Sequence, residues 1–173
     1  MNDSGYPFEL VGTIPGKAGD YQVETLVYRF VSAKSGHRYV VHIERYVKDL
    51  YCIKFFDDTT DDSAHNFSHL VSTYEPRTIF RTLVNISFDV LRHNNEASFM
   101  YIGAADDKET PQRPTRRYRV YKLYMDYYSL DEWFNTRDFD EQSMCVLVNR
   151  KAMPTVELQT EFINQVCGFI GII

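Results

Sequence analysis

Two segments of this 173-residue chain concentrate side chains that could do chemistry. In the first, Arg113, Arg116, Arg117, Arg119 and Lys122 place five cations in ten residues with no acid among them, beside Tyr118 and Tyr121. Guanidinium forks grip phosphates and tyrosine rings stack on bases. On a helix, Arg116 with Arg119 and Tyr118 with Lys122 would stand on neighbouring faces. These seven residues are the candidate binding surface. The competing use of the same cations is internal, because Asp106, Asp107 and Glu109 precede them and Asp126, Asp131 and Glu132 follow.

The second segment holds Asp57, Asp58, Asp61, Asp62, His65 and His69, the weaker candidates for a metal site. Carboxylates suit hard cations, and a helical HxxxH pair would add imidazoles. The spacing fits no EF-hand loop, since glycine and glutamate are missing from the positions such a loop requires, and it lacks the glutamate of HExxH. A solvated turn is the simpler reading, so no metal and no other cofactor is expected. Nor does the chain contain GxSxG, a P-loop or GxGxxG. Cys52 and Cys145 sit among apolar residues of strand character, where a thiol is buried and inert, and His42 falls on the polar side of its strand. No catalytic residue is assigned, and the chain reads as a binder rather than an enzyme.

Charge narrows the partners. The 19 basic and 24 acidic residues leave a net charge of −5 and a pI near 5.5, which repels nucleic acid and anionic membranes in bulk. Nucleic acid therefore remains an alternative carried by Arg113 to Lys122 alone, and a protein partner is favoured. The three cysteines lack CxxC spacing, so neither a disulfide framework nor a zinc knuckle is indicated and a reducing cytoplasm is expected. The longest apolar run, Val166 to Ile173, is far short of the roughly 18–20 residues that cross a bilayer, and no secretory leader is read at the start.

The elements that must position these residues follow from periodicity. One α+β domain is expected over residues 1–173, with an irregular Gly/Pro-rich segment at 1–20 and a core at 21–166. Tyr21 to Ala33 and Arg38 to Val47 read as strands around the Lys34-Ser35-Gly36-His37 turn, and Leu50 to Phe56 as a third strand beside them. Ile79, Leu83, Ile86 and Val90 recur at helical spacing, predicting a helix from Thr73 to His93 with Pro76 in its first turn. Ala97 to Ala104 and Ser143 to Arg150 read as strands, Arg116 to Tyr128 and Thr155 to Val166 as helices. Ser129 to Gln142 reads as mostly irregular. The expected core is a mainly antiparallel twisted sheet of about five strands, with a central helix on one face and a closing helix.

The order of short pieces, Tyr28-Arg29-Phe30, Gly36-His37-Arg38-Tyr39, Thr78-Ile79, Tyr101-Ile102-Gly103, Arg117-Tyr118-Arg119 and Arg150-Lys151 before Pro154, resembles a family of small bacterial proteins catalogued as a domain of unknown function. The resemblance implies an α+β domain of bacterial or phage origin and carries no activity with it. By analogy it places a protein-binding module in a bacterial conflict system, as an antitoxin, immunity protein or phage-encoded inhibitor. The further alternative is a metal-dependent hydrolase centred on Asp57 to His69. Aromatic content supports contact with a partner. Tyrosine offers area at low entropic cost. Five of the thirteen tyrosines, Tyr118, Tyr121, Tyr124, Tyr127 and Tyr128, crowd beside the basic segment.

Overall fold

The computed structural model describes residues 4–59, 75–104 and 114–171. Seven strands form one mixed sheet and three helices pack against it, an α+β arrangement. In chain order these are β1 (Phe8–Pro15), β2 (Gln22–Val31), β3 (Arg38–Tyr46), β4 (Leu50–Asp57), α1 (Pro76–His93), β5 (Ser98–Ile102), α2 (Arg116–Tyr128), β6 (Phe134–Phe139), β7 (Met144–Asn149) and α3 (Val156–Ile170). The strands lie in the order β1-β2-β3-β4-β5-β7-β6. Every neighbouring pair is antiparallel except β4 and β5, which run parallel with α1 in the connection between them.

Strand alternation sorts the core into two layers. Tyr51 of β4, Phe99 of β5 and Cys145 and Leu147 of β7 point to one face, where they meet Ile79, Phe80, Leu83, Ile86 and Val90 of α1 and Tyr118 of α2. The residues between them, Leu50, Cys52, Met100, Met144, Val146 and Val148, point to the other face and meet Phe162 and Val166 of α3. A strand with apolar residues on both sides is the mark of a sheet covered on both faces, and β7 is buried along its whole length. Each large side chain buried this way contributes roughly 1.5–3 kcal/mol.

Two strands lie where the sequence reads irregular. β1 falls in the Gly/Pro-rich entry: Pro15 closes the strand, and Gly12 flanks a bulge that leaves Val11 without a register partner. β6, with Asn135, Thr136, Arg137 and Asp138 at its centre, is a polar edge strand held by its ladder to β7 and buries only Phe134 fully. Pairing with a neighbour decides such segments, and local composition does not show it. The first helix likewise starts later than expected. Glu75 is its N-cap residue and Pro76 its first residue, and Thr73 lies outside the described residues.

A buried polar joint fixes where α2 begins. Thr115 caps the helix by accepting from the Tyr118 N–H at 3.2 Å, and its hydroxyl donates to the Gly103 carbonyl at 2.6 Å. Its own N–H donates to Ser143 Oγ at 2.9 Å, and the Gly103 N–H donates to the Ser143 carbonyl at 2.8 Å. The helix approaches so closely that a Cβ on Gly103 would lie 2.4 Å from the Tyr118 nitrogen and 2.6 Å from its Cα. No backbone can yield that much without moving the helix. Gly103→Ala is therefore expected to destabilise the protein by about 1–3 kcal/mol. Gly12→Ala, whose Cβ meets nothing within 4 Å, should change stability by no more than about 0.5 kcal/mol. Urea unfolding of the two variants checks both.

Candidate functional site

α2 carries the basic and tyrosine-rich segment, and its two sides treat the segment's residues differently. Tyr118 is 1% exposed and Arg117 6%, both turned into the protein. Tyr121 is wedged between Phe55, Phe80 and Tyr101, with ring centroids 5.2–6.1 Å away. Burial pushes the Tyr121 hydroxyl up to about 12, against the opposing charge of Arg117. Lys122 is half-buried and donates to Asp138 Oδ2 at 2.7 Å, with Asp140 at 4.0 Å. Arg116 and Arg119 face outward, and Arg119 donates from Nη1 to the Pro114 carbonyl at 2.7 Å. Arg113 lies outside the described residues.

Among the described residues, the acids that meet Tyr118 and Lys122 come from the β6 end of the sheet, and Asp106, Asp107 and Glu109 lie outside the described residues. The Tyr118 hydroxyl is shared between Asp138 Oδ1 at 3.1 Å and Asp140 Oδ1 at 2.9 Å. Burial, the bond to Asp140 and the charge of Asp138 together raise its pKa far above the ordinary value, so it is a permanent donor. The Lys122 ammonium is held above its ordinary value, first by its bond to Asp138. Tyr118, Lys122, Asp138 and Asp140 thus form one cluster, in which a single ammonium and a neutral hydroxyl meet two carboxylates. Lys122 and Tyr118 serve that cluster, and Tyr118 and Tyr121 present no free ring to stack a base. Asp138 and Asp140 escape sequence reasoning because β6 itself reads as irregular.

The acidic loop shows only its first residues. Asp57 ends β4, accepts from the Thr59 N–H at 2.8 Å and pairs through Oδ2 with His37 Nδ1. Asp58 is exposed. Asp61, Asp62, His65 and His69 lie outside the described residues. Burial raises the Asp57 carboxyl, but the hydrogen bonds from Thr59 and His37 outweigh it and leave the group below the ordinary carboxylate range. A histidine held at Nδ1 by a carboxylate is the orienting half of a catalytic triad. No described serine, threonine or cysteine side chain is hydrogen-bonded to that ring. Among the described residues, no group of three His, Cys, Asp or Glu side chains is placed to hold a metal ion.

Several buried titratable groups among the described residues serve packing and hydrogen bonding. Burial pushes the thiols of Cys52 and Cys145 up to about 12, which leaves them protonated and unreactive at neutral pH. The buried Tyr101 hydroxyl has no hydrogen bond among the described residues. It lies beside the Cys145 thiol, and burial raises its pKa strongly. Glu75, buried at the start of α1, accepts from Tyr6 at 2.7 Å and from Ser32, which joins the entry segment and the β2–β3 turn to the helix. On the other sheet face Glu44 accepts from Tyr46 and from Lys54, each at 2.9 Å. Burial lowers the pKa of the nearby His42. A cavity of about 30 Å³ between α1, α2 and the sheet is lined by Phe80, Phe99, Tyr101, Tyr121 and Met125 among others. It holds at most about one water and its walls are apolar, so it is a packing defect and no ligand site.

What the sequence reading leaves unnoticed is the apolar surface of the first hairpin. Leu10, Val11, Ile14, Tyr21, Val23 and Val31 are six of the twelve large apolar side chains exposed among the described residues. Both bulges of this ribbon contribute: Val11 in β1 and Val23 in β2 are the residues their ladders skip. The outer edge of β1 pairs with no other described strand.

Two outcomes follow from these contacts. Tyr118→Phe should cost about 1–2 kcal/mol in urea unfolding at neutral pH, because two carboxylates lose a buried donor. Folding favours ionised Asp57, so its contribution is complete above the ordinary carboxylate value of 3.8 and is lost as the pH falls through the lowered one. Asp57→Asn should flatten the fall in stability between about pH 5 and pH 2 relative to the parent chain, read from urea midpoints across that window.

A scan of family models, a search of curated proteins and a search of solved structures each return no match to this chain.

Proposed function

We propose that this chain is a single-domain, non-enzymatic protein-binding module of the cytoplasm, and that the β1–β2 ribbon is its contact surface. The supporting observation is the run of exposed Leu10, Val11, Ile14, Val23 and Val31 along both faces of a ribbon with an open edge, with Tyr21 in its connecting loop stacked on Phe169. Solvent-exposed apolar side chains scattered singly are ordinary, whereas a gathered set marks a surface that another molecule covers. β1 contains no lysine or arginine, the residues that usually guard an edge. The partner is a protein offering an extended segment whose apolar side chains meet those of the ribbon and whose backbone pairs in part with the edge. The bulge at Val11 and Pro15 at the end of β1 shorten that ladder, so side-chain contact supplies most of the binding.

The inward packing of Tyr118 and Tyr121 and the pairing of Lys122 weigh against nucleic acid on α2. The capped chemistry of Cys52, Cys145 and Asp57 weighs against an enzyme. A setting in bacterial conflict, as antitoxin, immunity protein or phage-encoded inhibitor, rests on the resemblance of the short motifs alone.

The test is capture of partners from the native host on immobilised protein, beside a Val11→Lys/Ile14→Lys variant. Both side chains are exposed, so the variant should keep its circular dichroism and its melting temperature within about 3 °C. A protein captured reproducibly by the parent and at least about tenfold less by the variant supports the reading. Equal capture by both, or no reproducible partner for a clean monomer, overturns it.

A further inference from the structure

At the opposite edge of the sheet from β1, an open cleft of about 440 Å³ lies between the end of α1 and the chain around β6 and β7. That size is within the range of small-molecule sites. Phe88 lies in its apolar lining, Trp133 forms a wall, and Arg92, Glu132, Arg150 and Lys151 supply its charged groups. Three cations against one carboxylate give the lining a net charge of +2, in a chain whose net charge is −5.

Trp133 and Arg150 are held in place before any ligand arrives. Trp133 is the chain's single tryptophan, 42% exposed, and its ring stands edge-on to Phe88 with centroids 5.2 Å apart. Its carbonyl accepts from the Arg150 N–H at 2.9 Å, which sets the two residues side by side. Arg150 is anchored at Nε, which donates to the carbonyls of Asp131 at 2.7 Å and Phe134 at 3.2 Å. The terminal nitrogens of that guanidinium make no hydrogen bond to a described residue, and Arg150 belongs to the lining of the cleft. Lys151 is fixed at the backbone: buried Asn149 accepts from the N–H groups of Lys151 at 2.9 Å and Ala152 at 3.1 Å. Asn149 is itself tied down by donating to the Asn95 and Ala97 carbonyls, each at 3.0 Å. Arg92 approaches from the last turn of α1 and reaches Asp89 at 3.3 Å on a mostly exposed side chain.

We infer that this cleft binds a small aromatic anion of the nucleoside monophosphate class. The base lies against Trp133, and the phosphate is gripped by Arg150, Lys151 and Arg92. A planar ring is needed to use the exposed indole face, and the fork of an anchored arginine matches phosphate oxygens in pairs. A bare anion would leave the indole uncovered. A neutral nucleoside would leave the Arg150 and Lys151 charges unmatched, Arg92 being paired with Asp89.

Because Trp133 is the only tryptophan, its emission reports this cleft alone. The experiment titrates AMP, adenosine and inorganic phosphate separately into the full chain at low salt, exciting at the red edge of indole absorption. A companion variant, Arg92→Gln/Lys151→Gln, removes two cations while leaving the structural anchors of Arg150 and Asn149 intact, and circular dichroism checks its fold. The expected result is a saturable change with AMP, at least about tenfold tighter than with adenosine or phosphate and weakened about tenfold or more in the variant. No saturable change with AMP up to about 10 mM overturns the inference. Adenosine or phosphate binding as tightly as AMP, or AMP binding the variant as tightly as the parent, overturns it as well. None of these results bears on the β1–β2 ribbon.

Discussion

The architecture depends on one short parallel junction. Leu50, Tyr51 and Cys52 of β4 lie beside Ser98, Phe99 and Met100 of β5, and these three register pairs join an antiparallel meander of β1 to β4 to a second antiparallel set of β5, β7 and β6. Parallel neighbours cannot be linked by a tight turn, so a long crossover is obligatory, and α1 supplies its helical part. The same three pairs put Tyr51 and Phe99 under α1 and α2 while Leu50, Cys52 and Met100 meet α3. A slip of one residue would exchange the two faces and strip both helical layers of their partners. Hydrogen bonds across the connection reinforce the register: Asn94, just past α1, donates to Asp49 at 2.8 Å and to the Tyr51 hydroxyl at 3.1 Å.

Tyrosine in this protein is mainly a core residue with a polar tip. Tyr28, Tyr39, Tyr51, Tyr101 and Tyr118 are all buried. Hydroxyls at the rim reach acids or carbonyls: Tyr28 to Asp89 at 3.0 Å, Tyr128 to the Arg77 carbonyl at 3.0 Å, Tyr118 to Asp138 and Asp140. An amphipathic ring satisfies packing and hydrogen bonding at once, which suits a thin layer between a sheet and two helices. The crowd of tyrosines on α2 obeys the same rule. Tyr121, Tyr124 and Tyr128 pack against the core, Tyr124 stacks on Phe80 at 4.6 Å, and Tyr127 is the exposed one. Tyr127 carries the Arg77 guanidinium 4.9 Å above its ring, so even this residue is partly used within the fold.

Among the described residues, two surfaces with unspent contact chemistry lie at opposite edges of the sheet. The β1–β2 ribbon is apolar and ends in an open edge. The Trp133 cleft is cationic and aromatic, in a chain whose net charge has the other sign. Their separation means that a substitution in one leaves the other's geometry alone, so the two proposals are tested independently.

The elements with strong local periodicity were readable from residues alone. α2 spans the residues its pattern indicates, α1 ends at His93, and the alternation of Met144, Val146 and Val148 against Cys145 and Leu147 predicts the two faces of β7. Those signals are local because one residue's neighbours three, four or two places away already define its face. β1 and β6 carry no such signal: glycine and proline in one and polar residues in the other hide strands that exist only because a partner supplies the ladder. Where the side chains of α2 point is decided in the same way. Charge and ring content identify Arg117, Tyr118, Tyr121 and Lys122 as a cluster, but whether it faces solvent or Asp138 and Asp140 depends on where β6 comes to lie. Composition thus sets which groups must be neutralised or buried, and through-space pairing between distant segments decides which of them are left over for a partner.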